Sequence, residues 1–393
     1  MKRGIQMTHF MDSIQQAASR IEGLDPDLLA IGPVLLEHGA VQQVAPYLKD
    51  QDYGHVAIVA DARTYDIAGQ ALESSIQELG VAVQVTIIDP DHQGDVIADE
   101  ASIIQLILAL KTHSSEVVVA VGTGTLHDIV RFSAYTLNIP FVSVPTAPSV
   151  DGFNSKGAPI ILRGEKKTIT AIGPNAIFAD LDILTKAPAA LVAAGFGDML
   201  GKYTSLFDWK FGHLAGGEPY SEVVAEMTRN ALQQCVDHSD EIAKRSSEGI
   251  RLLMGALLES GFAMLLFGQS HPASGAEHHL SHYWEMEFLR LGSRQILHGA
   301  KVGVACAEIS RLYHQLADDS LVPVAPALLQ AIRDEISLIP DEQTIRQLLR
   351  TVGGATTPEE LGVKPELLTR SLNEAHLVRP NRYTLLRAYN EAK

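Results

Sequence analysis

The residues with the clearest capacity for chemistry lie between Ser274 and His298, a stretch that holds four of the fifteen histidines. On a helix, His278 and His282 share one face, whereas His279 points about 100° away. His298 precedes a glycine, so its imidazole can lie close to backbone at a bend or a helix start. Two imidazoles on neighbouring elements begin a metal site, but a tetrahedral site needs at least three protein ligands. Because neither cysteine lies in a metal-binding motif, we expect the third ligand to be acidic.

Asp198, in the segment GFGDMLGK, is a candidate for that acidic ligand. We expect it near a helix N-terminus, where the alternative role is a cap or a partner of the helix dipole. Lys202, one turn later, either meets an anionic group or is solvated. The histidines also have a structural alternative, because a histidine on a half-buried helix is usually a packed side chain. The residues by themselves leave both interpretations open.

A glycine-rich turn, VGTGTLHD, follows a run of valines and opens a predicted helix. Gly122 and Gly124 let the backbone approach a phosphate, and the helix N-terminus offers free N–H groups. The third glycine of the dinucleotide fingerprint is replaced by His127, so a purely structural turn stays possible. Asp61 follows an earlier strand, where a carboxylate accepts hydrogen bonds from a ribose diol and repels a 2′-phosphate, favouring NAD over NADP. Its alternative role is a helix N-cap.

The segment Pro145–Pro159 follows the next predicted strand and mixes small hydroxylated residues with Asp151 and Lys156. Ligands of parallel sheets bind at the carboxyl ends of the strands, so this segment is a candidate for ligand contacts. An aspartate beside a glycine is also a common turn residue, which leaves a structural role open for Asp151.

The elements that must position these residues follow two patterns. Up to about residue 187, runs of Val, Ile and Ala alternate with helical segments, which predicts a Rossmann-like α/β domain with a mostly parallel sheet covered on both faces. Around Pro188 the pattern changes, and the rest is predicted to be helical throughout. We therefore predict an NAD-binding α/β domain over residues 1–187 and an all-α metal- and substrate-binding domain over 188–393, packed directly on each other.

Composition narrows the class of protein. The formal net charge of −16 argues against nucleic acid and anionic membrane surfaces as partners. The two cysteines, Cys235 and Cys306, suit a reducing compartment. The most apolar run, Leu252–Gly268, contains Glu259 and is shorter than the ~20 residues of a membrane span, so it predicts a buried helix. Without an apolar signal-peptide segment either, we expect a cytoplasmic protein.

The order of these motifs resembles that of the superfamily of iron-type alcohol dehydrogenases, glycerol dehydrogenases and dehydroquinate synthases: GTGT with a following aspartate, PTAPSVDG, GFGD, SGAEHHLSH and ILHGAKVG. Within it, PTAPSVDGF, VAAGFGDMLGK and PASGAEHHLSH are similar to the bacterial sn-glycerol-1-phosphate dehydrogenases. The resemblance covers most of the chain and weakens before about Val56 and after about Leu312. It implies a dehydroquinate synthase-like fold.

The resemblance also implies roles for individual residues. Asp198, His278 and His298 would be the ligands of one divalent metal, nickel or zinc rather than iron. His282 would touch the substrate and relay its proton, and Asp151 would bind substrate hydroxyls near the nicotinamide. Asp198 would contact the substrate as well as the metal. The NAD-binding residues implied are Asp61, Gly122, Gly124, Thr125, Leu126, His127, Asp128, Thr146, Ala147, Pro148, Ser149 and Ser155.

The implied activity is the metal-dependent, reversible reduction of dihydroxyacetone phosphate to sn-glycerol 1-phosphate by a homodimer. The reductant would be NADH, with NADPH also considered, and the product a glycerophospholipid precursor. A metal with an open position acts as a Lewis acid on the substrate oxygen, and a histidine with an ordinary pKa of ~6.5 suits acid–base work. Candidate cations for the substrate phosphate are Lys156, Lys202, Arg131 and Arg163, among which the sequence does not choose.

Three alternatives remain open. A polyol dehydrogenase for unphosphorylated substrates would keep the metal and NAD residues but lack a basic phosphate pocket. A dehydroquinate synthase-like lyase would need several more Lys, Arg and Asn residues around an acidic carbocycle. A non-catalytic nucleotide- and metal-binding regulator would be favoured by the loss of a metal ligand, and none of the three is missing.

Overall fold

The computed structural model describes residues 5–29, 31–319 and 321–393. The strands of these residues are β1 Val34–Glu37, β2 His55–Ala60, β3 Ala82–Ile87, β4 Val117–Gly122, β5 Phe141–Pro145, β6 Gly157–Leu162, β7 Glu165–Thr170 and β8 Ala176–Asp180. The α-helices are α1 Ile5–Ser19, α2 Val44–Asp50, α3 Ala62–Thr64, α4 Gln70–Glu78, α5 Glu100–Thr112, α6 Gly124–Leu137, α7 Leu181–Leu184, α8 Ala189–Leu200, α9 Lys202–Gly216, α10 Glu222–Asp237, α11 Ser239–Ala243, α12 Ser247–Phe267, α13 Ala276–Arg290, α14 His298–Asp318, α15 Pro326–Ser337, α16 Glu342–Thr351, α17 Pro365–Glu374 and α18 Leu385–Glu391. A π-helix, Tyr65–Gly69, joins α3 to α4, and 3-10 helices span Pro26–Leu29, Ala40–Gln43, Glu359–Leu361 and Ala375–Val378.

Six strands form one parallel sheet in the order β1-β8-β5-β4-β2-β3. Its central strands are apolar without alternation because both faces are covered. In β2, Val56 and Ile58 pack into one buried cluster, and Ala57 and Val59 pack into the cluster on the other face. The predicted parallel α/β sheet is therefore confirmed. Because the strands run the same way, the segments that follow β2, β4 and β5 meet at one edge.

A separate antiparallel hairpin, β6 and β7, lies outside this sheet. The sequence does not predict β6, because Gly157 and Pro159 are poor strand formers. The hairpin closes through Arg163 and Gly164, whose φ angles of 54° and 78° are both left-handed. A two-residue turn with positive φ at both positions matches the twist of a hairpin. The hairpin places Lys166 where the α/β half faces the helical half.

The helical half begins with α8, which starts directly after Pro188. This early start corrects the position predicted for Asp198, which lies in the last turn of α8 and not near a helix N-terminus. The long helix α12 is apolar and long enough to cross a membrane, but 67% of its most apolar window is buried inside the protein. Its packing confirms the prediction of a buried core helix.

Small residues bring α8 and α14 into close contact. A Cβ on Gly197 would lie 2.4 Å from the carbonyl oxygen of Gly299, and a Cβ on Gly299 would lie 1.9 Å from that of Ala194. Only glycine allows backbones to approach this closely. The contact places the last turn of α8 beside the first residue of α14, His298.

Among the described residues, the last strand ends at Asp180 and the regular elements after it are all helices. One buried cluster nevertheless joins the two parts, since it contains Ile177 of β8 together with Phe196 of α8 and Leu257 of α12. The α/β and helical parts therefore pack directly on each other. The predicted domain boundary at residues 187 and 188 stays a prediction.

Candidate active site

Asp198, His278 and His298 come together where three helices meet. One ligand atom of each lies within 4.8 Å of the others. The Oδ1 of Asp198 is 3.7 Å from Nε2 of His278, and the ring centroids of His278 and His298 are 5.1 Å apart. Both histidines line a cleft of about 960 Å³, whereas Asp198 is fully buried behind them. The three residues that the resemblance implies as ligands therefore form one cluster.

The cluster fits a divalent cation. Nδ1 of His278 is 2.7 Å from Oε1 of Glu277, which directs Nε2 towards Asp198. Nδ1 of His298 is buried and has no hydrogen-bond partner among the described residues. Burial holds the pKa of both imidazoles well below the ordinary value, so both rings are neutral. A neutral imidazole is the form that binds metals.

Two carboxylates of the site share one ammonium. Nζ of Lys202 lies 2.7 Å from Oδ2 of Asp151 and 3.3 Å from Oδ1 of Asp198, and all three side chains are nearly or fully buried. Burial, and then the charge of Asp151, raises the pKa of Asp198 to about 7. A further positive charge beside Asp198 would relieve this repulsion, which again suits a cation. The solvated alternative for Lys202 is wrong.

Glu277 is a site residue that the sequence interpretation missed. Its fully buried carboxylate accepts hydrogen bonds from the Thr204 hydroxyl and the Gly275 N–H, each at 2.6 Å, besides its contact with His278. Adjacent residues of a helix normally point apart, so the sequence did not indicate a pairing of Glu277 with His278. They meet because Glu277, in the first turn of α13, folds back to the N-cap residue Gly275.

The N-terminus of α6 has the form of a dinucleotide-binding turn. Thr123, its N-cap residue, makes no side-chain capping bond, so the first N–H groups are available to an anion in the cleft. A Cβ on Gly124 would lie 2.7 Å from Cγ2 of Val150, and one on Gly122 would lie 2.2 Å from Cδ1 of Leu126. The two glycines therefore keep the turn tight, and Gly124 itself lines the cleft.

Asp61 has the N-cap role that its position suggested, and it also faces the cleft. It caps α3 by accepting a hydrogen bond from the Thr64 N–H at 2.8 Å, and the Thr64 hydroxyl accepts one from the Asp61 N–H at 3.0 Å. It also lines the cleft at the end of β2. The capping bond uses one carboxylate oxygen, Oδ1, and leaves Oδ2 without a hydrogen-bond partner among the described residues.

Most of the residues implied in NAD binding line the same cleft: Asp61, Gly124, Thr125, Leu126, Asp128, Thr146, Ala147, Ser149 and Ser155. Gly122, His127 and Pro148 do not. The His127 ring points into the protein, where its nitrogens contact the Thr123 carbonyl oxygen at 2.9 Å and the Ser143 hydroxyl at 2.7 Å. Its side chain therefore replaces the third glycine by packing beneath the turn and does not reach a ligand.

Asp151 and His282 both face the cleft beside the metal-ligand cluster. Oδ2 of Asp151 accepts a hydrogen bond from the Ser260 hydroxyl at 2.8 Å, which together with Lys202 fixes the carboxylate. The His282 ring centroid is 6.0 Å from that of His298 and 6.3 Å from that of His278. Burial, then the charges of Lys166 and Arg379, lowers the pKa of His282 well below its ordinary value.

None of the four cations that the sequence suggested for a substrate phosphate lines the cleft. Lys156 and Arg163 are exposed, and Lys202 is buried among carboxylates. Arg131 is structural, because its guanidinium binds Asp128 and the carbonyl oxygens of Gly152, Phe153 and Gly157. These predictions were wrong, because sequence distance from the motifs does not show which way a side chain points.

The basic groups that do line the cleft near the histidines are Lys166, Lys301 and Arg379. Lys166 comes from the hairpin, and Arg379 comes from the C-terminal segment, where the resemblance is weak. Only Lys301 lies inside a quoted motif, ILHGAKVG. No pattern in the sequence alone links these three residues.

Comparison with known proteins identifies the same family among both near and remote relatives. Residues 35–188 match the family described as iron-containing alcohol dehydrogenase. The chain is 46% identical to the glycerol-1-phosphate dehydrogenase [NAD(P)+] of Geobacillus thermodenitrificans, covering 98% of both chains. It is 44% identical to that of Bacillus subtilis, covering 93% of this chain and 92% of the relative. The enzyme of the same name from Methanosarcina mazei is 30% identical, with coverage of 90% and 89%.

Solved structures show the same fold at low sequence identity. A probable glycerol dehydrogenase from Sinorhizobium meliloti is 18% identical and superposes with a TM-score of 0.68, covering 92% of this chain and 95% of that one. A 1,3-propanediol oxidoreductase is 15% identical with a TM-score of 0.70, covering 92% and 99%. The predicted fold class, a Rossmann-like α/β part followed by an all-helical part, is confirmed.

Proposed function

We propose that this chain, which belongs to the family of glycerol-1-phosphate dehydrogenases, reduces dihydroxyacetone phosphate reversibly to sn-glycerol 1-phosphate with NADH or NADPH. The observation that carries the proposal is the cluster of Asp198, His278 and His298, within 4.8 Å of one another, beside a cleft that also contains the N-terminus of α6. One cleft thus contains residues suited to a metal and residues suited to a dinucleotide.

The metal would be held by Asp198, His278 and His298, and when bound it would polarise the substrate oxygen that gains negative charge during reduction. Two imidazoles and one carboxylate suit zinc, nickel and iron alike. We propose nickel or zinc, on the strength of the resemblance in the motifs that carry the ligands. Glu277 and Lys202 then position this set, the first through His278 and the second through Asp198.

The cofactor's pyrophosphate would lie against the free N–H groups of α6, and its adenosine ribose against Asp61. The chain supplies position and charge, while hydride transfer belongs to the cofactor. Because the carboxylate of Asp61 repels a 2′-phosphate, we propose NADH as the preferred reductant, with NADPH also accepted.

Asp151 and His282 would act on the substrate directly. Asp151 is held by Lys202 and Ser260, so its carboxylate is oriented to accept hydrogen bonds from substrate hydroxyls. His282 is neutral, so one ring nitrogen donates and the other accepts a hydrogen bond. A neutral imidazole in this position can pass a proton between the substrate oxygen and solvent in the cleft.

The family resemblance also bears on the location, oligomeric state and domain boundary of the enzyme. We propose that it acts in the cytoplasm as a homodimer, that its product enters glycerophospholipid synthesis, and that its domains divide at residues 187 and 188. These parts are supported by the family resemblance, by the two buried free cysteines and by the change from strands to helices after Asp180.

The proposal is tested by following NADH and NADPH oxidation with dihydroxyacetone phosphate or dihydroxyacetone as substrate. The expected result is strong preference for the phosphorylated ketone. The product should then resist oxidation by a dehydrogenase specific for sn-glycerol 3-phosphate. Equal turnover of the free ketone would indicate a polyol dehydrogenase instead, and no turnover of either would favour the lyase or the regulator.

A further inference from the structure

We infer that Arg379 and Lys166 form the subsite that binds the phosphate group of the substrate. This inference rests on the proposed function, because it assigns residues to a phosphate that only the proposed substrate carries. Arg379 and Lys166 are not among the four cations that the sequence suggested, none of which lines the cleft.

Arg379 is a cation without an ion-pair partner in the part of the chain that the structure describes. Its Nη1 donates to the hydroxyls of Ser270 and Ser274, each at 3.1 Å, and no carboxylate of the described residues lies within 4 Å of its guanidinium. Glu277, buried behind His278, influences it only at a distance. Burial, then the neighbouring Arg382, lowers the pKa of Arg379 to about 10, so it is still charged at neutral pH. A half-buried guanidinium that faces a cleft without a counter-charge is poised to bind an anion.

Lys166 belongs to a second group with an excess of positive charge. Its Nζ lies 3.0 and 2.8 Å from the two carboxylate oxygens of Glu285, and Nζ of Lys301 lies 2.9 Å from one of them. Two ammonium groups therefore share one carboxylate. Burial lowers the pKa of Lys301 to about 8, although the charge of Glu285 partly offsets this shift.

The charges of the two groups match a phosphate monoester. Arg379 contributes one positive charge, and Lys166, Lys301 and Glu285 together contribute one more. The phosphate of a phosphorylated triose carries close to two negative charges at neutral pH, since its second pKa is about 6. Dihydroxyacetone, which lacks the phosphate, would leave both cationic groups uncompensated.

The fold brings both groups to the same place. Helix α13, which carries His278 and His282, packs against β7 with Lys166 and against the 3-10 helix Ala375–Val378, which ends directly before Arg379. The positive charges of Lys166 and Arg379 both lower the pKa of His282. A phosphate between them would therefore lie beside His282, a short distance from the metal-ligand cluster where the carbonyl must be.

The experiment compares Arg379→Gln, Lys166→Met and the wild-type holoenzyme with dihydroxyacetone phosphate and with dihydroxyacetone. Each variant should lose about 10- to 100-fold in kcat/KM for the phosphorylated ketone, as expected for one charged hydrogen-bonding group. Turnover of the free ketone should fall by a clearly smaller factor than turnover of the phosphorylated ketone, because the free ketone carries no phosphate to bind. Inorganic phosphate, used as a competitive inhibitor against dihydroxyacetone phosphate, should bind both variants more weakly by a similar factor.

Arg370→Gln is the matched control, because Arg370 lies on α17 close by but pairs with Glu287 outside the cleft. It should keep the wild-type ratio of activities. Metal content and NADH binding of each variant should equal those of the wild type, which separates loss of the subsite from misfolding. If the wild type prefers the phosphorylated ketone and either cleft variant retains that preference and its phosphate affinity, the inference is overturned while the proposed function stands. If the wild type shows no such preference, the proposed function itself fails.

Discussion

Replacement of Glu277 by glutamine should weaken metal binding although Glu277 is not itself a proposed ligand. Its carboxylate lies 2.7 Å from Nδ1 of His278, the nitrogen that faces away from Asp198. A carboxylate in that position holds the ring in one orientation and one tautomer and makes the other nitrogen a stronger donor. Glutamine keeps the size and an acceptor oxygen but loses the negative charge.

The magnitude follows from the contacts. The amide oxygen of glutamine can still accept from the Gly275 N–H and from His278, and the amide nitrogen can donate to the Thr204 hydroxyl, which accepts as readily as it donates. The fold is therefore expected to survive, and burial already raises the pKa of Glu277 towards the neutral form. The loss should be the 10- to 100-fold in metal affinity typical of such partners, or roughly 1.4–2.8 kcal/mol.

The assay is competition for Zn²⁺ and Ni²⁺ between the protein and a chromophoric chelator, with Glu259→Gln as the control. Glu259 is a half-buried glutamate of the helical part, and its raised pKa is caused by burial alone. The control should bind metal as the wild type does. Wild-type affinity in the Glu277→Gln variant would refute the reasoning that Glu277 orients His278 for a metal.

Three further predictions concern stability and cofactor choice. Burial raises the pKa of Glu259 from 4.5 to about 7, so this residue's contribution to stability is present below its unfolded pKa and lost as pH rises through about 7. Glu259→Gln should therefore raise the free energy of unfolding by about 1–3 kcal/mol at about pH 8 and leave it unchanged near pH 4.5, as measured by urea titration. Gly299→Ala should destabilise by about 3 kcal/mol or more, because its Cβ would meet the Ala194 carbonyl oxygen at 1.9 Å. Gly255→Ala, with its nearest contact at 3.7 Å inside helix α12, should instead stabilise by up to about 1 kcal/mol in the same titration. Asp61→Ser keeps a capping oxygen but removes the charge, so the ratio of kcat/KM for NADPH to that for NADH should rise about tenfold, and an unchanged ratio would show that Asp61 does not face the ribose.

The parallel sheet was predictable because its strands are buried on both faces and read as uninterrupted apolar runs, as in Val117–Gly122. The hairpin strand Gly157–Leu162 was not predictable, since its stability comes from pairing with Glu165–Thr170 and from a left-handed turn at Arg163. Asp198 was predicted near a helix N-terminus but lies in the last turn of α8, because the sequence does not show that α8 starts at Ala189.

Site residues that lie in recognisable motifs could be grouped from the sequence, whereas site residues outside those roles could not. The motif resemblance grouped Asp198, His278 and His298, and the structure brings them together. Their roles as ligands stay a prediction. Glu277 and Arg379 were missed for different reasons. Glu277 is the helix neighbour of His278, and adjacent side chains of a helix normally point apart. Arg379 lies about 80 residues after His298 in the chain and reaches the site because the 3-10 helix before it packs against α13.

Metal dependence is tested most directly by NADH oxidation with dihydroxyacetone phosphate in metal-stripped protein, before and after Ni²⁺, Zn²⁺ or Fe²⁺ is restored in turn. We expect no turnover without metal and recovery with one equivalent of Ni²⁺ or Zn²⁺, in a protein that stays folded throughout. Full turnover by protein from which the metal has been removed would contradict this expectation, because the cluster of Asp198, His278 and His298 would then have no part in the reaction.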